Sequence, residues 1–383
     1  MIRKQVPEAS HGPAAPYQIE SVGRACRLIR ILQNEGSLPL FELAEMASLS
    51  RPTVFRLMAT LQANGVVIKD RSRRYHLASV LSSGRRYKIG YVVETGETSF
   101  YRAVTRGLVE SAAIAGIDLV VLDSHFSPDM ALANAERLLS EDVDLVIEFH
   151  SYAQVSSLIS ARRGGRKLPL IAVEIPHPNS VYFGVNNCQA GLVAGRYLGR
   201  WAEKHWQGQV DEILLVGSPR AGSLPEARLT GSLMGIQEIL PNSANSRISV
   251  VNGDWQFDAS REAVKQHLSR STSSKILVSA IFDPSALGAL EAFRDAGCLQ
   301  NCAIVGQNGS IEARVEMRHP GSRLIGSVAY FPERYGEQLI SLALDILTLR
   351  SSVPNAFFVR HQMLTAANLK QHYGREMQQA KAS

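Results

Sequence analysis

No apolar run in these 383 residues approaches the ~18–20 residues a membrane-spanning helix needs, so no membrane partner is expected. Residues 1–16 lack a continuous apolar segment and hold Glu8, His11 and three prolines, which argues against a secretory signal. They read as a flexible leader, and the location expected is cytoplasmic. Cysteine is scarce. Cys26, Cys188, Cys298 and Cys302 are far apart or, in the Cys298-x-x-x-Cys302 spacing, lack a partnering Cys/His pair. Free thiols are therefore expected, not disulfides or zinc.

Also missing are the loops that cradle cofactor phosphates or present a nucleophile. No Gly-x-Gly-x-x-Gly follows an apolar run, and neither a Gly-x-x-x-x-Gly-Lys-Ser/Thr nor a Gly-x-Ser-x-Gly occurs. His125, His150 and His177 fall near the ends of apolar runs but lack carboxylates at ligand spacing, so each reads as a lone polar histidine. The expectation is a chain without catalytic residues, cofactor or metal.

Positive charge, by contrast, is concentrated. The first 88 residues hold 14 Lys and Arg against 6 Asp and Glu, and the remaining 295 hold 27 against 29. A basic N-terminal module on a near-neutral body points to a nucleic-acid-binding head on a regulatory domain.

Periodicity gives that head its parts. Leu28, Ile31 and Leu32 after Val22 and Ala25 predict a helix over Glu20–Gln33, and a second covers Leu40–Ala47. Ser50 is a good N-cap for a third, which tolerates Pro52 in its first turn and stops at Asn64-Gly65. Its inward stripe is Val54, Leu57, Met58 and Leu61. Two β-runs, Val66–Lys69 and Arg74–Leu77, flank a cationic tip and read as a wing. The third helix is expected in the major groove of double-stranded operator DNA, with Ser50, Arg51, Thr53, Arg56 and Thr60 on its DNA side. Lys69, Arg71, Arg73 and Arg74 are expected on phosphates, where they add affinity without sequence information. The segment Ser50–Leu61, with Ser21–Ala25, Leu43-Ala44, Gly65 and Tyr75–Leu77, resembles the IclR-type DNA-binding domain. That resemblance places Arg51, Thr53 and Arg56 on the DNA-facing helix.

From Lys88 onward apolar β-runs alternate with amphipathic helices. Strands are expected at Ile89–Val93, Asp118–Leu122, Leu145–Phe149, Leu170–Glu174, Glu212–Val216, Ile248–Val251, Ile276–Ala280 and Ala303–Val305. Helices are expected at Ala103–Ala115, Met130–Leu139 and Ala190–Trp201. Continuous apolar strands between helices predict parallel sheets covered on both faces, and two sets of them predict two doubly wound lobes. A ligand then sits at the carboxyl ends of the strands, between the lobes.

Several stretches carry a resemblance across this body: Val92–Thr95, Leu168–Glu174, Val185–Asn187, Arg228–Gly231, Asp283–Leu290 and Val305-Gly306. It resembles ribose-type periplasmic binding proteins and the effector domain of lactose-repressor-family regulators. The resemblance implies an α/β chain: a winged helix-turn-helix followed by a periplasmic binding protein type I domain with doubly wound parallel sheets. The boundaries expected are leader 1–16, head 17–80, linker 81–87 centred on Ser82-Ser83-Gly84, effector domain 88–371 and flexible tail 372–383. Lobe 1 covers about 88–186 and 331–361, and lobe 2 about 187–330 and 362–371.

Carried over residue by residue, the ligand contacts implied are Glu94, Thr98, Phe100, Tyr101 and Glu174 from one lobe, with Arg228, Trp255, Phe282, Asn308 and Tyr330 completing the set. Rings stack on sugar C–H faces, while Glu174, Arg228 and Asn308 fork to hydroxyls. Phe282 stands where sugar binders usually place Asn or Asp, and Tyr330 where they often place Gln, so the cleft is more aromatic than a ribose site. A neutral polyhydroxy effector with an apolar face is expected, and the chain is expected to dimerise. The alternative is a sugar-kinase-like enzyme with a helix-turn-helix head, but its phosphate loop needs an Asp on the first strand, and Ile89–Gly96 offers only Glu94.

Overall fold

The computed structural model describes residues 19–35, 37–69, 73–77, 86–94, 99–150, 153–163, 168–349 and 354–374. The leader, the linker centre, Arg71, Thr98 and residues 375–383 lie outside the described residues. The chain divides into two compact units, Met1–Arg86 and Tyr87–Ser383.

In the first unit, helices Glu20–Glu35, Leu40–Met46 and Arg51–Ala63 enclose Leu28, Leu32, Leu43, Val54 and Met58. The third helix ends at Asn64, and Gly65 takes the left-handed backbone (φ +69°) that glycine adopts without strain. Strands β1 (Leu38–Pro39), β2 (Val67–Lys69) and β3 (Arg74–Leu77) form an antiparallel sheet in the order β1-β3-β2. The two-residue β1, half of it proline, is too short to leave a periodic signal. Val66, expected as the first residue of the strand, lies just before β2, while Leu57 and Leu61 are only half-buried.

In the second unit, strands β4 (Lys88–Val93), β5 (Asp118–Asp123), β6 (Leu145–Phe149), β7 (Leu170–Val173) and β8 (Val181–Gly184) belong to one sheet. The next strands, β9 (Glu212–Gly217), β10 (Arg247–Asn252), β11 (Ile276–Ala280), β12 (Cys302–Asn308) and β13 (Leu324–Ala329), belong to another. Two late strands, β14 (Ala356–Phe358) and β15 (Gln362–Leu364), return one to each, giving the orders β14-β8-β7-β6-β4-β5 and β10-β9-β11-β12-β13-β15. The first sheet is parallel throughout, and in the second only β13 and β15 run antiparallel. The chain thus crosses between lobes three times: after β8, after β13 and between β14 and β15. The helix Leu369–Tyr373 continues past residue 371, and the Tyr373 ring is buried against the second lobe, so the ordered chain extends beyond the expected start of the tail.

Glycine brings two helices unusually close. A Cβ on Gly191 of helix Asn187–Trp206 would lie 2.1 Å from the Arg228 carbonyl oxygen, and one on Gly195 would lie 1.9 Å from that of Ser232. Without side chains there, helix Ser223–Ile239 beds directly onto its neighbour and points Arg228 at the cleft.

Candidate functional site: an interlobe cleft and a cationic head

Between the lobes lies a cleft of about 440 Å³, within the range of small-molecule sites. It sits where doubly wound folds bind ligands: Phe149 closes β6, Glu174 follows β7, Phe282 follows β11 and Asn308 ends β12. Its first-lobe wall is aromatic. The Tyr101 and Phe149 rings stack at 4.4 Å, and Phe126 meets Tyr101 edge-on at 5.8 Å. Phe100 stands edge-on to Tyr335 at 5.7 Å. Trp255 and Phe282 face them from the second lobe.

The polar centre is Arg228, whose side chain is almost wholly buried. Its Nε donates to Asn187 Oδ1 (2.7 Å) and its Nη1 to the Ile281 carbonyl (3.2 Å). Its guanidinium lies 4.9 Å from the centroids of both the Phe282 and the Tyr330 rings. Nη2 is left 3.8 Å from Glu174 Oε2, and Glu174 Oε1 accepts from the Tyr335 hydroxyl (2.7 Å). Burial pushes the Glu174 carboxyl above its ordinary pKa, against the pull of Arg228 and the Tyr335 hydrogen bond. Glu174, Trp255 and Asn308 all hold left-handed backbones (φ +62°, +50° and +107°). Strain of this kind persists where surrounding structure over-determines a site.

Of the sequence-expected ligand contacts, Phe100, Tyr101 and Glu174 line the cleft from one lobe and Arg228, Trp255, Phe282 and Asn308 from the other. Two do not. Glu94 is fully buried behind the lining at the end of β4. Tyr330 is in the core, donating to Gln307 Oε1 (2.6 Å), and its ring supports Arg228 from behind. Thr98 lies outside the described residues.

Sequence reasoning missed Phe126, Phe149, His150, Gln256, Ser310 and Glu312 on the walls. Phe149 and His150 carried a usable signal, since they end a strand at the ligand-binding edge. The histidines also need correction: His150 and His177 are no lone polar residues. Their Nε2 atoms share a 2.9 Å hydrogen bond inside the protein, and burial lowers the His150 pKa to about 4. His125 is exposed and lies 3.5 Å from Asp123.

On the head, Arg51 and Arg56 are exposed along the third helix. The Ser50 and Thr53 hydroxyls bond each other at 2.8 Å, so Ser50 caps through backbone geometry without its side chain. Thr60 turns its hydroxyl back to the Arg56 carbonyl (3.0 Å). Lys69 lies over the Tyr75 ring at 5.0 Å, and Arg73 is exposed. Arg74 departs from expectation. Its Nε donates to Ser37 Oγ (3.1 Å) and its Nη2 to the Ser37 carbonyl, so it fastens the wing strand β3 to the segment that leads into β1.

Residues 89–351 match the periplasmic binding protein domain, and residues 21–71 match the IclR helix-turn-helix domain. The chain belongs to the periplasmic binding protein domain family. It is 23% identical over 278 residues to the HTH-type transcriptional repressor PurR of Proteus mirabilis, covering 70% of this chain and 76% of the relative. It is 24% identical over 264 residues to the ribose import binding protein RbsB of Salmonella typhimurium, covering 68% and 84%. Among solved structures, a periplasmic solute-binding protein of Actinobacillus succinogenes with bound D-allose superposes with a TM-score of 0.64 at 16% identity, covering 75% of this chain and all of that one. A solute-binding protein of Bacillus halodurans with bound myo-inositol gives 0.64 at 16%, covering 76% and 99%. These likenesses establish the two-lobed type I fold. An IclR-type head fused to a periplasmic-binding-protein domain is the composition of a ligand-regulated transcription regulator, and the matched domains and relatives are not enzyme families. Among the described residues no helix is long and apolar enough to cross a membrane, and no cluster of His, Cys, Asp and Glu is suited to hold a metal ion.

Proposed function

We propose that the protein is a sequence-specific DNA-binding regulator of transcription, acting in the cytoplasm, whose operator affinity is set by a small carbohydrate-like effector in the interlobe cleft. The observation that carries this reading is the cleft itself: Arg228 held between two rings beside Glu174, facing a wall of aromatic side chains. Hydroxyl pairs suit a carboxylate beside a guanidinium, and the C–H faces of a pyranose or cyclitol suit aromatic rings. Six Phe, Tyr and Trp rings line the walls, so the moiety held within the cleft is a neutral polyhydroxy group with a substantial apolar face, as in a derivatised sugar or glycoside. Closure around it favours one lobe arrangement, and in a two-fold dimer that shifts the spacing of the two heads on a palindromic operator.

Isothermal titration of the full chain against a carbohydrate panel, followed by operator mobility shift with each binder, tests the reading. A saturable sugar that changes operator affinity supports it, and a binder that leaves operator affinity unchanged contradicts it. Light scattering of the full chain at micromolar concentration should return twice the monomer mass.

A further inference from the structure

We propose that the cavity beside the cleft is a second site, built for a small oxyanion of the phosphate class that ties the two lobes together. This cavity has about 570 Å³ and shares Ser99, Phe100, Asn308 and Ser310 with the cleft. Arg106 reaches it from helix Ser99–Ile114 of the first lobe. Arg314 and Lys370 reach it from helices Ile311–Glu316 and Leu369–Tyr373 of the second. Against these three cations the wall sets one carboxylate, Glu333, which accepts from the Tyr373 hydroxyl at 3.2 Å.

The three cations are held differently. Arg314 is buried, donates to the Gly309 carbonyl and lies 3.8 Å from the Tyr373 ring, so its charge is locked in place. Arg106 and Lys370 are exposed, and among the described residues neither meets a carboxylate within ion-pair distance. Long cationic side chains converging from opposite lobes suit an ion with several acceptor oxygens: Arg takes two of them as a fork and Lys one as a point charge. His372, also on the wall, has a buried Nε2 with no hydrogen-bonding partner among the described residues. A hollow lined by one sign of charge concentrates counter-ions. The neighbouring cleft does the reverse, because its one cation is paired and Glu174 and Glu312 both face it.

An anion held by both lobes stabilises their closed arrangement, and by linkage raises affinity for whatever the cleft holds by the factor that the cleft ligand raises the anion's. The phosphate is either a free ion or a group carried on the effector and reaching across the shared wall. Only this second source, and the linkage, rest on the cleft being an effector site.

The test is isothermal titration of the full chain with sodium phosphate at ionic strength held constant with sodium chloride, comparing wild type with R106Q/K370Q. Both positions are exposed, so folding should survive, as circular dichroism would verify, and each single substitution repeats the measurement. Saturable binding in the wild type, weakened at least tenfold in the double variant, is expected. Absence of saturable phosphate binding overturns the proposal. So does equal affinity in the variant, which places the ion outside this cavity. Ribose 5-phosphate and ribose then separate the sources: if the ester binds more tightly than either phosphate or ribose, the group is carried on the effector, and if it binds only as phosphate does, the site takes the free ion. Ester binding that is indifferent to R106Q/K370Q sinks both. Loss of sugar response with phosphate binding intact would overturn the effector reading and leave this site standing.

Discussion

Asn187 and Arg228 meet across the contact between two helices, Oδ1 accepting from Nε at 2.7 Å, at the point where the chain first passes from one lobe to the other. The contact fixes the guanidinium rotamer before any ligand arrives, which lowers the ordering cost of binding. Arg228→Ala should therefore lower effector affinity by ~10- to 100-fold, because a buried hydrogen-bonding partner lost without replacement costs ~1–3 kcal/mol. Glu174→Ala should act in the same sense. Operator affinity of the ligand-free protein should stay unchanged in both, measured by mobility shift. Equal loss of DNA binding in a variant that circular dichroism shows to be folded would contradict the separation of the two modules.

The His150–His177 pair predicts a pH dependence of stability. Burial lowers the folded pKa of His150 to about 4 from an ordinary 6.5. Between those values the unfolded chain binds the extra proton and the folded one does not, so stability falls as pH drops through that window. The full difference amounts to about 3 kcal/mol. Asp283 opposes it: its buried carboxyl is pushed up to about 6, so its proton favours the folded state over part of the same range. The comparison that isolates the histidine is wild type against His150→Gln in urea melts at pH 7 and pH 5, where the variant should lose less stability than wild type. Identical losses would show that the pair does not titrate as its burial implies.

Two glycines should answer an added methyl in opposite ways. At Gly195 a Cβ would fall 1.9 Å from the Ser232 carbonyl oxygen, a backbone atom that can move only with its helix. Gly195→Ala should cost ~1–3 kcal/mol or more and, by displacing the helix that carries Arg228, weaken effector binding too. Gly23 lies in helix Glu20–Glu35 with no atom within 4 Å of the built Cβ, so Gly23→Ala should stabilise the head by ~0.5–1 kcal/mol. Thermal melts read both, and a neutral Gly195→Ala would show that the helices can separate freely.

Legibility in the sequence followed the strength of local pattern. Apolar runs such as Leu145–Phe149 and Ile276–Ala280 matched their strands end to end, because a parallel strand buried on both faces leaves a near-continuous apolar signal that a single Glu148 or Ser279 does not break. The three-residue strands Ala356–Phe358 and Gln362–Leu364 left none: each is held by its neighbour in the sheet. Val181–Gly184 also escaped because it is only four residues long and ends in glycine, and Leu324–Ala329 because Gly326 and Ser327 interrupt it. In the cleft, residues that end strands were readable. Whether a side chain there faces ligand or core was not, since it depends on packing from distant segments. Tyr330 belongs to the core because Gln307 takes its hydroxyl, and His150 finds its partner 27 positions away.

The head offers a prediction with three separable arginines. Arg56 is exposed on the third helix, Arg73 is exposed at the wing, and Arg74 is tied to Ser37 inside the head. A side chain reading base edges and one touching phosphate differ in kind, because only the first carries sequence information. Arg56→Ala should cost ~1–3 kcal/mol on the preferred site and relax discrimination against mismatched sites. Arg73→Ala should weaken all sequences alike and reduce the salt slope by ~1. Arg74→Ala should instead lower the melting temperature of the head, since it removes the donors that hold β1 against β3, and should weaken DNA binding only as far as the wing loosens. Mobility shifts over a salt series, run beside thermal melts of each variant, distinguish the three. Full operator affinity in an Arg51→Ala/Arg56→Ala double variant would remove the third helix from the groove, and an Arg74→Ala variant that melts like wild type but loses salt dependence would make Arg74 a phosphate contact after all.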